Sequence, residues 1–165
     1  NIKGGNIQVA SIAMAISPFA HGFMSLLGGR VLDRYSRKKK FLPFYFFTIR
    51  QLAGAIYILL MAFVILPWHL YLLQAVYGMI GGLTLPATPL LQNKLMDKNK
   101  EGEEWGISQA IFFIAGGIGA IIAGVLIGHF GFRALFFASS LLFFAASIAS
   151  FKTMRTYKAQ QSAKT

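Results

Sequence analysis

Two ionisable side chains, His21 and Arg50, lie inside long apolar stretches of this 165-residue chain. Ser17, His21 and Ser25 are spaced by four residues, so a helix would align them on one face as a polar stripe. Histidine titrates near neutral pH, and an ionisable group at membrane depth is a functional hypothesis by default. We interpret His21 as a proton relay or substrate contact. The alternative is a neutral imidazole bonded to Ser17 or to a neighbouring helix.

Other polar side chains in these stretches are candidates for lining a cavity. Gln74 and Tyr77 share a helical face close to Gly78, and Gln109 lies near the start of a later stretch. The alternative for each is a hydrogen bond between helices. Arg50 lies roughly 15 Å along a helix from Lys40, a depth from which its side chain can extend to the polar surface.

The residue types that most enzymes need are scarce. The chain has no cysteine, and its five carboxylates all lie outside the apolar stretches, at Asp33, Asp97, Glu101, Glu103 and Glu104. This composition excludes a thiol nucleophile, a cysteine-ligated zinc site and a multi-carboxylate metal site within those stretches. A membrane enzyme acting on lipid would need at least two convergent groups. We therefore predict no metal, no cofactor and no enzymatic activity.

The elements that must position the polar residues are membrane helices. The chain is 56% hydrophobic and only 13% charged, with a mean hydropathy of +0.59, which does not suit a soluble domain. Lipid offers no partners to backbone groups, so an apolar run that crosses it must be helical. Five runs are about long enough to cross a bilayer, at 7–29, 41–66, 70–91, 105–128 and 134–151.

Positive charge is distributed unevenly between these runs. Of the 16 Lys and Arg residues, 13 lie in 30–40, 93–104 and 152–165, which fall on one side if five spans alternate. The positive-inside rule makes that side the cytoplasm, so 152–165 is predicted to be a cytoplasmic tail of a multi-pass cell-membrane protein. The net charge of +11 then requires no nucleic acid, because anionic lipids of the inner leaflet are a sufficient partner.

Two helix-packing features stand out. Gly116, Ala120, Gly124 and Gly128 recur every four residues and form a small-residue stripe on which another helix can pack closely. Pro86 and Pro89 end a glycine-rich span, and such interruptions in transporter helices often mark moving or binding segments. We interpret both features as packing and hinge elements.

The segment from Gly29 to Lys39 carries a motif. Its sequence, G-R-V-L-D-R-Y-S-R-K-K, resembles the signature G-x-x-x-D-R-x-G-R-R/K of the major facilitator superfamily, with Ser36 in place of the second glycine. We expect Gly29 to let two helices approach closely, and Asp33 to cap a helix or pair with an arginine. The resemblance implies a latch loop that holds one conformation closed, made of Gly29, Asp33, Arg34, Arg37 and Lys38. The alternative is a basic loop that only sets topology.

The rest of the chain extends the resemblance. Pro86-Ala-Thr-Pro89, the glycine-rich fourth run and Gly131-Phe-Arg-Ala-Leu-Phe136 resemble the last four helices of a bacterial drug–proton antiporter. The resemblance implies an all-α major facilitator fold in which the five spans are helices eight to twelve of twelve. The first span would start outside the cell and the chain begins with Asn, so we expect a fragment whose N-terminal half is missing.

The function implied by the resemblance is secondary active transport. We expect proton-coupled efflux of small amphipathic molecules or drugs by alternating access, with a small-molecule substrate, protons and the other half of the protein as partners. Two alternatives stay open. One is a sugar or metabolite porter of the same fold, and the other is a non-transporting membrane sensor.

The charge asymmetry generates a test of the topology. Cysteines introduced at Ser36 and at His69 in the full-length protein should react with a membrane-impermeant reagent from opposite sides of the membrane. Labelling of both positions from the same side would contradict five alternating spans.

Overall fold

The computed structural model describes residues 6–36, 38–39 and 41–162, and most of these residues are helical. Helices follow one another in the order α1 (Ile7–Ser36), α2 (Leu42–Met61), α3 (Pro67–Thr84), α4 (Ala87–Leu95) and α5 (Glu101–Ser162). No strand occurs in these described ranges. The predicted all-α architecture is confirmed.

Within the described residues, four helical segments are long and apolar enough to cross a bilayer: Ile7–Ser36, Leu42–Met61, Pro67–Leu95 and Glu101–Gln160. The last has 60 residues, which is about 90 Å of helix or three times a bilayer core. Gly131 interrupts it with a φ of 77°, a value that glycine adopts readily because it has no Cβ. The first half of α5 (101–130) and its second half (132–162) are therefore each long enough for one crossing.

The outer surface of the bundle is apolar. Phe19, Phe23, Phe112 and Phe130 are each about 70% exposed, whereas few large side chains are buried anywhere in the described bundle. A soluble monomer rarely exposes so much contiguous apolar surface. The distribution is the one expected of helices that contact lipid.

The basic segment after the first span differs from its prediction. We expected residues 30–40 to form a loop, but α1 continues to Ser36, so this expectation is wrong for residues 30–36. No glycine or proline follows Gly29 in this stretch, and Leu32 is fully buried. Burial of that side chain stabilises the extra helical turns. Lys38 and Lys39 lie in the short turn that leads to α2.

The third apolar run is divided into two helices. α3 ends at Thr84 and α4 begins at Ala87, so the break lies at Leu85 and Pro86. Pro86 has no N–H to donate to the preceding turn, and its ring clashes with that turn in a continuous helix. Pro89 lies in the first turn of α4, where a missing N–H costs little. A hinge motion at this break stays a prediction.

The second half of α5 runs antiparallel to α2. Near one end the rings of Phe63 and Phe137 meet edge to face with centroids 5.9 Å apart, and mid-helix the buried Ser140 hydroxyl donates to the Ala55 carbonyl at 2.9 Å. At the other end, Phe44 packs with Leu91 and Met154 in a buried cluster. This packing brings the start of α2, the end of α4 and the end of α5 together, as the predicted alternation of spans requires.

α1 and α3 pack closely because α3 presents glycines. A β-carbon on Gly78 would lie 2.5 Å from the Ser17 carbonyl oxygen and 3.0 Å from the Ala20 β-carbon. A β-carbon on Gly82 would clash with the His21 carbonyl. Helices in lipid associate through such backbone approaches, since no hydrophobic effect drives them together there. The α1–α3 pair is therefore the most tightly apposed contact in the described bundle.

This contact generates a prediction with a matched control. Gly82→Ala should lower the melting temperature of the full-length protein in detergent, because forcing a methyl group against a helix backbone costs about 1–3 kcal/mol. Gly22→Ala should not lower it, since no other group lies within 4 Å of a β-carbon there and alanine favours the helix by about 0.5–1 kcal/mol. Equal melting temperatures for the two variants would contradict the glycine contact.

Candidate functional site

The predicted polar stripe of α1 lies against α3. Ser17 and His21 direct their backbone carbonyls at Gly78 and Gly82, and the half-buried His21 ring lies beside Gly81. A β-carbon on Gly81 would be 2.9 Å from the imidazole Nδ1. The glycines of α3 thus create the room in which the imidazole sits. The structure places His21 at a helix interface, within the apolar part of α1.

Ser25, the third member of the stripe, makes a local contact. Its hydroxyl donates to the Gly22 carbonyl of its own helix at 2.8 Å. Serine hydroxyls inside membrane helices commonly donate a hydrogen bond to a backbone carbonyl of the preceding turn. The stripe is therefore one helical face, on which the His21 side chain lies against α3 and the Ser25 hydroxyl bonds within α1.

Tyr77 packs against α2, whereas His21 lies at the interface between α1 and α3. The Tyr77 ring stacks on Tyr57 of α2, with centroids 4.1 Å apart and planes 14° apart. Both rings line an apolar crevice of about 250 Å³ between α2 and α3. Gln74 is half-buried and precedes Gly78 by one turn, which places it nearer to the α1 side of α3. Tyr57 was not predicted from the sequence, because no local sequence pattern shows that tyrosines on two different helices will stack.

Arg50 bonds to the neighbouring helix. Its Nη1 donates to the Thr88 hydroxyl of α4 at 3.3 Å, and both side chains are half-buried. A guanidinium among apolar helices needs such acceptors, because a buried polar group without a partner costs free energy. Arg50 therefore ties α2 to the segment after the Pro86 break. Thr88 was missed, since its sequence position beside two prolines suggests only a helix start.

A cleft of about 590 Å³ opens between α2, α4 and both halves of α5. Phe44, Phe47 and Leu91 form its apolar floor, while Glu104 and Ser108 contribute polar atoms from the start of α5. The Glu104 carboxylate also accepts the Asp97 N–H at 3.2 Å. Gln109, the predicted cavity residue, is half-buried but is not part of this lining, and its neighbour Ser108 takes that position.

The predicted latch residues lie mostly on a helix. Gly29, Asp33 and Arg34 belong to the last turns of α1, with Asp33 and Arg34 exposed, and Lys38 lies in the following turn. Arg37 lies outside the described residues. Nothing in the described structure lies within 4 Å of a β-carbon on Gly29, so the close helix approach expected there stays a prediction.

Gly28, the residue before Gly29, closely approaches α3. A β-carbon on Gly28 would clash with the Leu83 backbone of α3. Gly28 follows His21 by seven residues, or two helical turns, and so lies on the same face of α1. The sequence motif drew attention to Gly29, but the phase of the helix relative to α3 decides which of two adjacent glycines is used.

The small-residue stripe of α5 faces open space in the described structure. No group lies within 4 Å of a β-carbon built on Gly116, Gly124 or Gly128, and Ala120 is exposed. Its role as a packing surface for another helix stays a prediction. The described glycines that do pack closely are those of α3, Gly28 of α1 and Gly54 of α2.

Apolar helices long enough to span a bilayer, with polar side chains at their interfaces, define a polytopic membrane protein. Comparison with known families identifies which family of membrane proteins this is. The profile of the Major Facilitator Superfamily matches residues 3–165. The chain therefore belongs to this superfamily of membrane transporters, which confirms the predicted family and the prediction that the chain is not an enzyme.

The curated relatives carry names of drug resistance proteins. The chain is 30% identical over 149 residues to the multidrug resistance protein MdtG of Dickeya zeae strain Ech586, covering 89% of this chain and 33% of that protein. It is 26% identical over 120 residues to the multi-drug resistance efflux pump PmrA of Streptococcus pneumoniae serotype 4, covering 73% and 30%. The chain thus spans about a third of the length of the curated relatives it matches. No solved structure matches it.

Proposed function

We propose that this chain forms part of a proton-coupled exporter of small amphipathic molecules that works by alternating access. Its membership of a transporter superfamily supports transport, and its similarity to proteins named for multidrug resistance and efflux supports an export direction. The observation that carries the mechanism is the placement of His21, a titratable side chain, in a glycine-lined interface between α1 and α3. That placement couples a proton-binding group to a contact between two helices.

The α1–α3 contact suits relative motion. Gly78 and Gly82 present no side chains that interlock with α1, so the two helices can rotate or slide with little steric resistance. The break at Leu85 and Pro86 lets α3 tilt independently of α4. Protonation of His21 adds a charge at this interface. A charge there costs free energy unless water or substrate reaches it, so the proton favours the conformation in which the interface is open.

We further propose that a second half-bundle completes the transporter. The first half of α5 is largely exposed, including its small-residue stripe at Gly116, Ala120, Gly124 and Gly128. Such a smooth face suits another helix more than lipid. Since the relatives are about three times the matched length, a second group of helices of the same protein is the natural partner for this face. In this arrangement the basic ends of the helices lie in the cytoplasm and the protein spans the cell membrane.

The transport proposal is tested at His21. In inverted vesicles that contain the full-length protein, a proton gradient should drive accumulation of a fluorescent cationic dye. His21→Gln keeps a polar side chain of comparable reach but cannot titrate, so gradient-driven dye transport should fall about fivefold or more, as expected for the loss of a coupling free energy of about 1 kcal/mol or more. Ser25→Ala is the control, because that hydroxyl bonds only within its own helix. Unchanged transport by His21→Gln at wild-type expression would refute the role of this residue.

The latch proposal is tested at Asp33. This exposed carboxylate lies at the basic end of α1, and an exposed ion pair is worth only about 0–1 kcal/mol, so Asp33→Asn should fold normally. A latch of 1–3 kcal/mol would nevertheless shift a conformational equilibrium about 5–150-fold. We expect slower transport and a changed ratio of inward-open to outward-open protein, measured by distances between spin labels. Asp97→Asn is the control acid in another basic segment. If Asp33→Asn behaves like this control, the basic segment only sets topology.

A further inference from the structure

A cleft of about 390 Å³ lies where the turn after α1, the start of α2 and the end of α5 meet. We call it the lysine cleft. It is lined by Lys38, Lys39, Phe41, Leu42, Tyr45 and Lys158. Three lysines and one tyrosine, whose side chains end in hydrogen-bond donors, thus line a small space together with two apolar side chains.

The backbone of the turn fixes two of the lysines. The N–H groups of Lys38 and Lys39 both donate to the Tyr35 carbonyl, at 3.1 and 2.8 Å. The Lys39 carbonyl then accepts the Leu42 N–H at 2.9 Å, which joins the turn to the first residue of α2. These bonds hold the two lysine backbones against the start of α2. The side chains of Lys38 and Lys39 are exposed and can therefore contact a ligand in the cleft.

The third lysine comes from a distant part of the chain. Tyr157 packs on Phe44 with ring centroids 5.3 Å apart, and on Phe41 at 6.4 Å. This aromatic packing positions the following residue, Lys158, whose ammonium lies 5.7 Å from the Phe41 ring centroid in a cation–π contact. The cluster is therefore assembled by the tertiary fold from segments about 120 residues apart.

The donors that face the cleft are side chains. In the first turn of α2, the Leu42 N–H bonds to Lys39, and the Phe44 and Tyr45 N–H groups bond to the Phe41 carbonyl. Pro43 has no N–H. The helix N-terminus is thus already satisfied, and recognition of an anion in the cleft falls to the three ammonium groups and the Tyr45 hydroxyl.

We propose that the lysine cleft binds the phosphate of an anionic phospholipid headgroup. Ammonium and phenol donors match the oxygens of a phosphate group. The cleft lies at the polar end of α2, a helix apolar enough to cross a bilayer, and on the side predicted to face the anionic inner leaflet. Phe41 and Leu42 supply an apolar wall along which the glycerol and upper acyl chains can pack. A free phosphate would use the donors but not this wall.

The site joins the end of α1, a helix that the transport proposal moves, to the start of α2 and the end of α5. A lipid bound between the end of α1, the start of α2 and the end of α5 links all three at one membrane surface. None of the residues that line the cleft takes part in the His21 contact on which the transport proposal depends. The proposal can therefore hold even if the transport proposal fails.

Native mass spectrometry of the full-length protein in detergent tests this site. Phosphatidylglycerol would be titrated against phosphatidylcholine with the same acyl chains, and inorganic phosphate would be titrated alone. The variant Lys38→Gln/Lys39→Gln/Lys158→Gln removes the three ammonium groups. The variant Lys94→Gln/Lys98→Gln/Lys100→Gln removes the same charge from exposed positions in the last turn of α4 and in the connection to α5, and it serves as the control.

The wild-type protein should hold one phosphatidylglycerol more tightly than phosphatidylcholine. The cleft variant loses three charge-assisted contacts to the phosphate and should lose on the order of 100-fold in affinity. The control should lose much less, because its lysines do not line the cleft. Equal losses in the two variants would show only diffuse surface charge and overturn the site. If inorganic phosphate alone binds as tightly as phosphatidylglycerol, the proposal that the bound phosphate belongs to a lipid is overturned. Intact mass and a single folded species in both variants exclude unfolding as the cause.

Discussion

Inside a bilayer, a backbone N–H or C=O that leaves the helical ladder finds no water to replace its lost partner. The chain obeys this constraint even where it bends. α1 continues past Pro18 as one helix, and at the break before α4 the Leu85 N–H still bonds to Gly81 at 2.8 Å and the Thr88 N–H to Leu85 at 3.1 Å. The interruption between α3 and α4 includes Pro86, which has no N–H, and the interruption of α5 lies at Gly131, which adopts a positive φ.

The same solvent changes what holds the helices together. Lipid is as apolar as the side chains, so close packing and buried hydrogen bonds replace the hydrophobic effect between helices. The bundle uses two different solutions. α1 and α3 meet backbone to backbone at glycines, while α2 and α5 are linked by the Ser140–Ala55 hydrogen bond and by Phe143 against Gly54. The first contact is smooth and the second is interlocked, which supports assigning relative motion to α1 and α3 and a scaffold role to α2 and α5.

The basic end of the bundle combines a topological signal with a built cavity. Charge counting treats Lys38, Lys39 and Lys158 as equivalent members of a cytoplasmic excess. The fold distinguishes these three from the other lysines. The hydrogen-bonded turn at Lys38 and Lys39 and the aromatic cluster before Lys158 bring them around one cleft. Lysines 94, 98 and 100 contribute equally to the charge count but do not line that cleft. A charge that orients a membrane protein during insertion can thus acquire a specific contact once the helices pack.

The sequence by itself determined the helical class, the apolar segments and the family, because bilayer thickness and backbone hydrogen bonding leave few choices for an apolar chain. It also indicated that a titratable side chain, His21, lies within an apolar span and that Pro86 interrupts the third one. Both conclusions depend on the chemistry of single residues. Only the tertiary structure decided that Gly28 rather than Gly29 contacts α3, that Tyr77 stacks on Tyr57, and that Arg50 bonds to Thr88. These outcomes depend on the rotational phase and register of one helix against another. Contacts between residues far apart in the chain set that phase, and no local pattern in the sequence records it.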